Sequence, residues 1–187
     1  MNRKIMSLVT VVLVSATATA GVALADKRDH RQEAASFLAA KQAITAAISA
    51  AEGSTGGKAV KAEFDEKKGT SLWKVRTVNG TKRADVRIDA TTGQVIDTRD
   101  KGDVSAKRDS VTPDMLGGAL ADLISKAEAA GGGKVMSIDV ERRRDGGVGV
   151  EVELVKADGT AQDFLINPAD GKLTPKADHD DSDDDEN

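Results

Sequence analysis

The chain is written twice. Gly56-Gly57-Lys58 aligns with Gly132-Gly133-Lys134 at a shift of 76 residues, and Ser36, Ile44 and Ile48 then fall on Thr112, Leu120 and Ile124. Val60, Ala62 and Phe64 fall on Met136, Ile138 and Val140. Farther on the shift becomes 78, so that Ile88-Asp89 meets Ile166-Asn167 and Gly93 meets Gly171. The drift falls in turns, where insertions are tolerated. A match of this kind points to a duplicated unit, so one fold must satisfy both copies.

Each copy predicts a helix, then three strands and a short fourth. Phe37, Ala40, Ile44, Ile48 and Ala51 recur at three- and four-residue steps, which places them on one helical face. The matching face in copy two is Leu116, Leu120, Leu123, Ile124 and Ala127. Thr112-Pro113-Asp114 supplies a capping hydroxyl, a first-turn proline and an acid for the start of that helix. Gly131-Gly132-Gly133 stops it. The strands alternate: Val60, Ala62 and Phe64 against Lys61, Glu63 and Asp65; Trp73, Val75 and Thr77 inward; Ala84, Val86 and Ile88 against Arg83, Asp85, Arg87 and Asp89. Val148, Val150, Val152 and Leu154 alternate with Glu151 and Glu153, and Phe164 and Ile166 with Leu165 and Asn167. One apolar face per strand predicts a sheet covered on one side. Asn79-Gly80 and Asp158-Gly159 predict hairpin turns. The fold class is therefore α+β: two tandem repeats, each one helix packed on an antiparallel sheet of three to four strands.

The amino terminus reads as a secretory signal over residues 1–25. Arg3 and Lys4 precede an apolar run from Ile5 to Val14, and small residues follow, ending in Ala23-Leu24-Ala25. The strongly apolar run is shorter than the ~20 residues a bilayer span needs. Cleavage is expected after Ala25, leaving no membrane span, so amino-terminal sequencing of the exported protein should begin at Asp26. The domains expected are repeat 1 at 26–98, a linker at 99–110, repeat 2 at 111–175 and an acidic tail at 176–187.

Charge separates the tail from the body. The signal holds two of the 27 basic residues and none of the 31 acidic ones. Asp178 to Asn187 holds seven acids, which leaves residues 26–177 with 25 basic and 24 acidic side chains. Such a run repels itself and buries no apolar area, so the tail is expected to be disordered. The body is near neutral, aromatics are scarce, and Arg142-Arg143-Arg144 is the one basic run. Nucleic-acid binding, which wants a basic face with stacking aromatics, is not expected.

The order of elements resembles the PepSY family. The resemblance rests on an apolar helix, Gly-Gly, an alternating strand, a strand around Trp73-Lys74-Val75, and Val86-Arg87-Ile88-Asp89-Ala90-Thr91-Thr92-Gly93-Gln94-Val95-Ile96. The Asp-x-x-x-Gly turn is its most specific piece. Copy two fits more loosely: Asn167 stands at the Asp position and the Trp is missing. The tandem arrangement also looks like proteinaceous β-lactamase inhibitors at the level of architecture. The PepSY resemblance implies a small exported, non-enzymatic module. The family is associated with propeptides of secreted metallopeptidases and with bacterial envelope proteins, and it offers no catalytic residues to carry over.

The residues agree with that implication. There is no Cys, and the two histidines, His30 and His179, lie in polar and acidic segments that do not hold an imidazole for a catalytic triad. Gly56-Gly57 and Gly131-Gly132-Gly133 follow helices, the reverse of a phosphate cradle, and read as helix ends. Asp89 and Asn167 read as turn formers, and Trp73 as core. The metal candidates are Asp178, His179, Asp180, Asp181, Asp183, Asp184, Asp185 and Glu186. Carboxylates suit hard cations, but the run lacks the spaced loop of a compact site. No cofactor is expected beyond weak binding of a divalent cation such as Ca²⁺. Two functions remain. One is a periplasmic or secreted binding or inhibitory module acting on another envelope protein, with peptidases as the class in view, through strand edges or turns presenting Arg83, Arg87 and Glu153. The other is an envelope metal-binding or metal-responsive protein using the tail.

Overall fold

The structure, a computed structural model, describes residues 30–67, 69–104, 111–143 and 145–176. The expected leader (1–25) and the metal candidates from Asp178 to Glu186 lie outside the described residues. The helices are α1 (30–38), α2 (Ile44–Thr55) and α3 (Leu120–Gly131), with a 3-10 turn at Pro113–Leu116. The strands are β1 (Lys58–Lys67), β2 (Thr70–Asn79), β3 (Lys82–Asp89), β4 (Val95–Asp103), β5 (Lys134–Arg142), β6 (Val148–Val155), β7 (Ala161–Ile166) and β8 (Leu173–Pro175).

All eight strands join one antiparallel sheet in the order β4-β3-β2-β1-β5-β6-β7-β8. The alternation predicts a sheet in each half. The first strand of one half pairs with the first strand of the other through Lys61↔Asp139, Ala62↔Ile138 and Glu63↔Ser137. Both strands turn their apolar residues the same way, so pairing removes two free edges and fuses the two interiors. Ala34 through Ile166 form one core cluster.

The same local devices occur at both ends of the shift. Gly56 (φ 67°) and Gly132 (φ 66°) close α2 and α3 in the left-handed conformation, donating to Glu52 and Glu128 carbonyls. Glu52 Oε1 accepts the Ala59 N–H at 2.9 Å, and Glu128 Oε1 accepts the Val135 N–H at 3.2 Å. Each carboxylate thus ties a helix end to the strand that follows. A bulge interrupts β1 at Ala59/Lys61 and β5 at Val135/Ser137. A Cβ on Gly57 or Gly133 would lie 2.9 Å from the carbonyl oxygen of Val78 or Val155, so these positions admit a close approach of backbones that only glycine allows.

Several expectations are corrected. The periodic face from Phe37 to Ala51 is two helices, not one, because the helical i→i−4 ladder ends at the Ala39 N–H and α2 starts only at Ile44. The Gln42 N–H donates to Ala90 O at 3.0 Å, and the Gln42 carbonyl accepts from Trp73 Nε1 at 3.0 Å. These bonds to the sheet replace the helical ones. Likewise, Thr112-Pro113-Asp114 opens only a 3-10 turn, with no side-chain cap bond, and Gly117 (φ 64°) ends it before α3 begins. The turns shift too. Asn79 pairs with Lys82, so the two-residue loop is Gly80-Thr81, with φ 58° at Gly80. Lys156 N–H bonds Thr160 O, which makes Asp158-Gly159 the last two positions of a three-residue loop.

Finally, β4 is not short. It continues through Asp103, five residues into the expected linker 99–110. Its charges explain why no apolar period announces it: Asp97 pairs with Arg87 (3.1 Å) and Arg99 (2.7 Å), and Asp103 with Lys82 (3.0 Å). At the other edge Lys176, expected in the tail, is pinned by its N–H to Asp163 O (2.9 Å) and its Nζ to Glu151 (2.6 Å).

Candidate functional site

The face of the sheet away from α2 and α3 carries two charged rows set by strand register. One runs Asp163–Glu153–Ser137–Glu63–Lys74–Arg87–Asp97. The other runs Glu151–Asp139–Lys61–Arg76–Asp85–Arg99. Directly opposed residues on one face lie within reach of one another. Lys61 contacts Asp139 at 2.7 Å and Glu63 at 3.0 Å, Lys74 contacts Asp65 at 2.9 Å, and Arg76 contacts Asp85 at 2.8 Å.

The rows are polarised. A groove of about 200 Å³ on the β1–β4 side is lined by Lys61, Lys74, Arg76, Arg87, Arg99 and Lys101 against Glu63 and Asp85. The β5–β7 side carries Asp139, Glu151, Glu153 and Asp163 at the matching register positions. Partial burial raises the Asp85 carboxyl, but Arg76 and Lys101 outweigh it and hold the group below its ordinary value. Burial lowers the Lys61 ammonium, but Asp139 and Glu63 leave it net raised. Both shifts favour the charged forms of Asp85 and Lys61.

Beside the groove runs β4, an edge strand whose outer side pairs with no other strand among the described residues. Eight of its nine residues are exposed. Val95 (40%) and Ile96 (50%) are two of the three large apolar side chains exposed among the described residues. Two register shifts break its pairing with β3. Bulges and charges on an edge discourage indiscriminate strand pairing. A row of backbone groups flanked by two exposed aliphatic side chains still suits an extended segment of complementary sequence.

The residues singled out by sequence fall as follows. Trp73 is fully buried, meeting Phe37 and Phe64 edge-to-face at centroid distances of 5.9 and 5.4 Å. Asp89 forms a turn: the N–H groups of Thr92 (2.8 Å) and Thr91 (2.9 Å) bond its Oδ1 and hold the carboxyl below its ordinary value. Asn167 Oδ1 accepts the Ala169 N–H at 3.0 Å in the same way. Arg87 faces the groove, and Arg83 Nη2 reaches Lys101 O at 3.5 Å. Glu153 is not presented to solvent as expected; it is half-buried, with Glu33 of α1 close by. His30 lies on α1 and lines a cavity with Asp158 and Thr160. Among the described residues no group of three or more His, Asp or Glu is placed to hold a metal ion. Sequence reasoning missed Lys74, Arg76, Arg99 and Lys101 as one groove. The outward positions of successive strands signal it, once the strand order is known.

Residues 38–99 match the PepSY family model, described as peptidase propeptide and YPEB domain. No curated protein matches the chain. A solved structure of a candidate lipoprotein from Clostridium difficile 630 is similar at 14% identity and a TM-score of 0.42, covering 72% of this chain and 91% of that one. No helix among the described residues is long and apolar enough to cross a membrane.

Proposed function

We propose, from a chain that carries a PepSY domain at residues 38–99, that this protein is an exported, non-catalytic module that binds and restrains a secreted peptidase. The observation that carries the reading is β4: a nine-residue edge strand, unpaired on its outer side among the described residues, exposed along almost its whole length and bordered by the charged groove. An extended segment of the partner would add to this edge, with Val95 and Ile96 as apolar contacts and Arg87 and Arg99 as orienting charges. Main-chain bonds would supply affinity, and the flanking side chains specificity. The recurrence of helix, cap, bulge and Asx turn after 76 to 78 residues supports reading residues 111–175 as a second PepSY-like unit, which supports the first through the β1–β5 joint.

The test is inhibition of a secreted metallopeptidase by the mature chain. Inhibition is expected to be saturable, and Ile96→Lys or Arg99→Glu should weaken it by about tenfold or more, a difference of ~1.4 kcal/mol. Both side chains are exposed, so circular dichroism of the variants should be unchanged. Undiminished inhibition by both variants would show that the partner does not bind at this edge.

A further inference from the structure

Between its two register shifts β4 is a regular strand: Asp97, Thr98, Arg99 and Asp100 pair in order with Arg87, Val86, Asp85 and Ala84 of β3. On its other side this stretch pairs with no strand among the described residues. Asp97 and Arg99 end the two charged rows on the face away from α2 and α3, and Thr98, paired with the buried Val86, lies between them on the opposite face. The two row ends carry opposite charge two residues apart, which makes the strand complementary to itself. A second copy that keeps the two sheet faces continuous must approach antiparallel, about a twofold axis perpendicular to the sheet, and directly opposed residues then share a face. Centred on Arg99 or on Asp97, that axis sets like charges against each other. Centred on Asp100, it sets Arg99 against Lys101 twice, both on the groove side. Centred on Thr98, it sets Asp97 against Arg99 twice, with Thr98 facing Thr98. Opposed like charges destabilise a strand pair, whereas opposite charges and Thr–Thr pairs support it.

We propose that two copies of this chain pair β4 to β4, antiparallel about Thr98, so that two eight-stranded sheets become one. The charged rows then run on across the joint: Lys74–Arg87–Asp97 of one copy continues into Arg99–Asp85–Arg76 of the other, and the reverse holds for the second row. Arg99 donates Nε to its own Asp97 at 2.7 Å, yet its side chain is 59% exposed and within reach of a second carboxylate across the axis. The contact is isologous, so each copy gives and receives the same bonds. Assembly stops at two, because the other edge strand, β8, spans three residues and ends in Pro175. The joint is short, so the dimer forms as concentration rises. This inference stands apart from the peptidase reading and needs only the strand and its charges. A partner segment and a second copy use the same edge, so self-pairing withholds that edge in concentrated protein and opens it on dilution.

The chain has no cysteine, so single cysteines introduced into the full mature chain report the register directly. Thr98 and Asp100 are both exposed, and replacing either should leave circular dichroism unchanged. Under mild oxidation Thr98→Cys should form a disulfide-linked dimer about tenfold or more faster than Asp100→Cys, because only position 98 meets its own copy across the axis. Sedimentation velocity of the unaltered chain should show a dimer that grows with concentration. Arg99→Asp sets acid against Asp97 on both sides of the axis and should weaken that dimer by about tenfold or more. A chain that stays monomeric up to its solubility limit, a dimer indifferent to Arg99→Asp, or equal cross-linking of Thr98→Cys and Asp100→Cys would overturn the proposal. No peptidase enters these measurements, so their failure is distinct from failure of the inhibition test.

Discussion

Trp73→Ala is expected to lower the unfolding free energy by about 3–5 kcal/mol, a large share of the ~5–15 kcal/mol such domains possess. Three losses combine. The indole is fully buried, so its removal leaves a cavity that α2 and the sheet cannot both close around. Its edge-to-face contacts with Phe37 and Phe64 disappear. The Gln42 carbonyl, held outside any helix by Trp73 Nε1, loses its donor. Trp73→Phe separates the terms: it keeps an aromatic ring and loses chiefly the hydrogen bond, so its cost should be ~1–3 kcal/mol. Urea melts followed by circular dichroism read both values. Equal costs for the two variants would mean that the Gln42 bond, rather than packing, dominates the site.

The second large effect concerns the helices. Ile48 (3% exposed) and Ile124 (1%) are the matched residues that α2 and α3 press onto the sheet. Truncating either to Ala should cost ~2–5 kcal/mol. Because the eight strands share one core, Ile124→Ala should also lower the midpoint read at Trp73, in the other half of the chain. Its urea transition should remain single by fluorescence and by circular dichroism. A cost below ~0.5 kcal/mol would show that the helical faces were assigned wrongly. A Trp73 transition that ignores Ile124→Ala would show that the halves unfold separately.

The local grammar of this fold is readable in its residues. Three- and four-residue spacing marks Ile44, Ile48, Leu120 and Ile124, two-residue alternation marks the buried face of each strand, and Asp89 and Asn167 mark their turns. What sequence conceals depends on partners far along the chain. The break at residues 39–43 exists because Ala90 and Trp73 bond Gln42, and nothing nearby in the sequence predicts either bond. β4 is a strand by virtue of its neighbour β3 and its ion pairs, so its charged residues read as a linker. The β1–β5 joint sets Lys61 beside Asp139, 78 residues away, and so creates the charged rows. Glu153 reads as an outward position by strand alternation alone, and its partial burial depends on parts of the chain that alternation does not reveal.

Binding energy is expected to reside in the folded sheet rather than in the acidic tail. The most direct measurement is a calorimetric titration of one secreted metallopeptidase with three proteins: the mature chain, the Ile96→Lys variant and a chain ending at Ala177. Ca²⁺ and Zn²⁺ should be titrated in parallel. Contacts made by a charged tail alone are screened beyond roughly 8 Å at physiological salt, so the chain ending at Ala177 should melt at the same temperature and retain the affinity of the mature protein. It should lose any weak, salt-sensitive cation binding, while Ile96→Lys should weaken peptidase binding by about tenfold or more. Loss of peptidase binding on removal of the tail, with Ile96→Lys unchanged, would contradict the claim and assign the function to the tail.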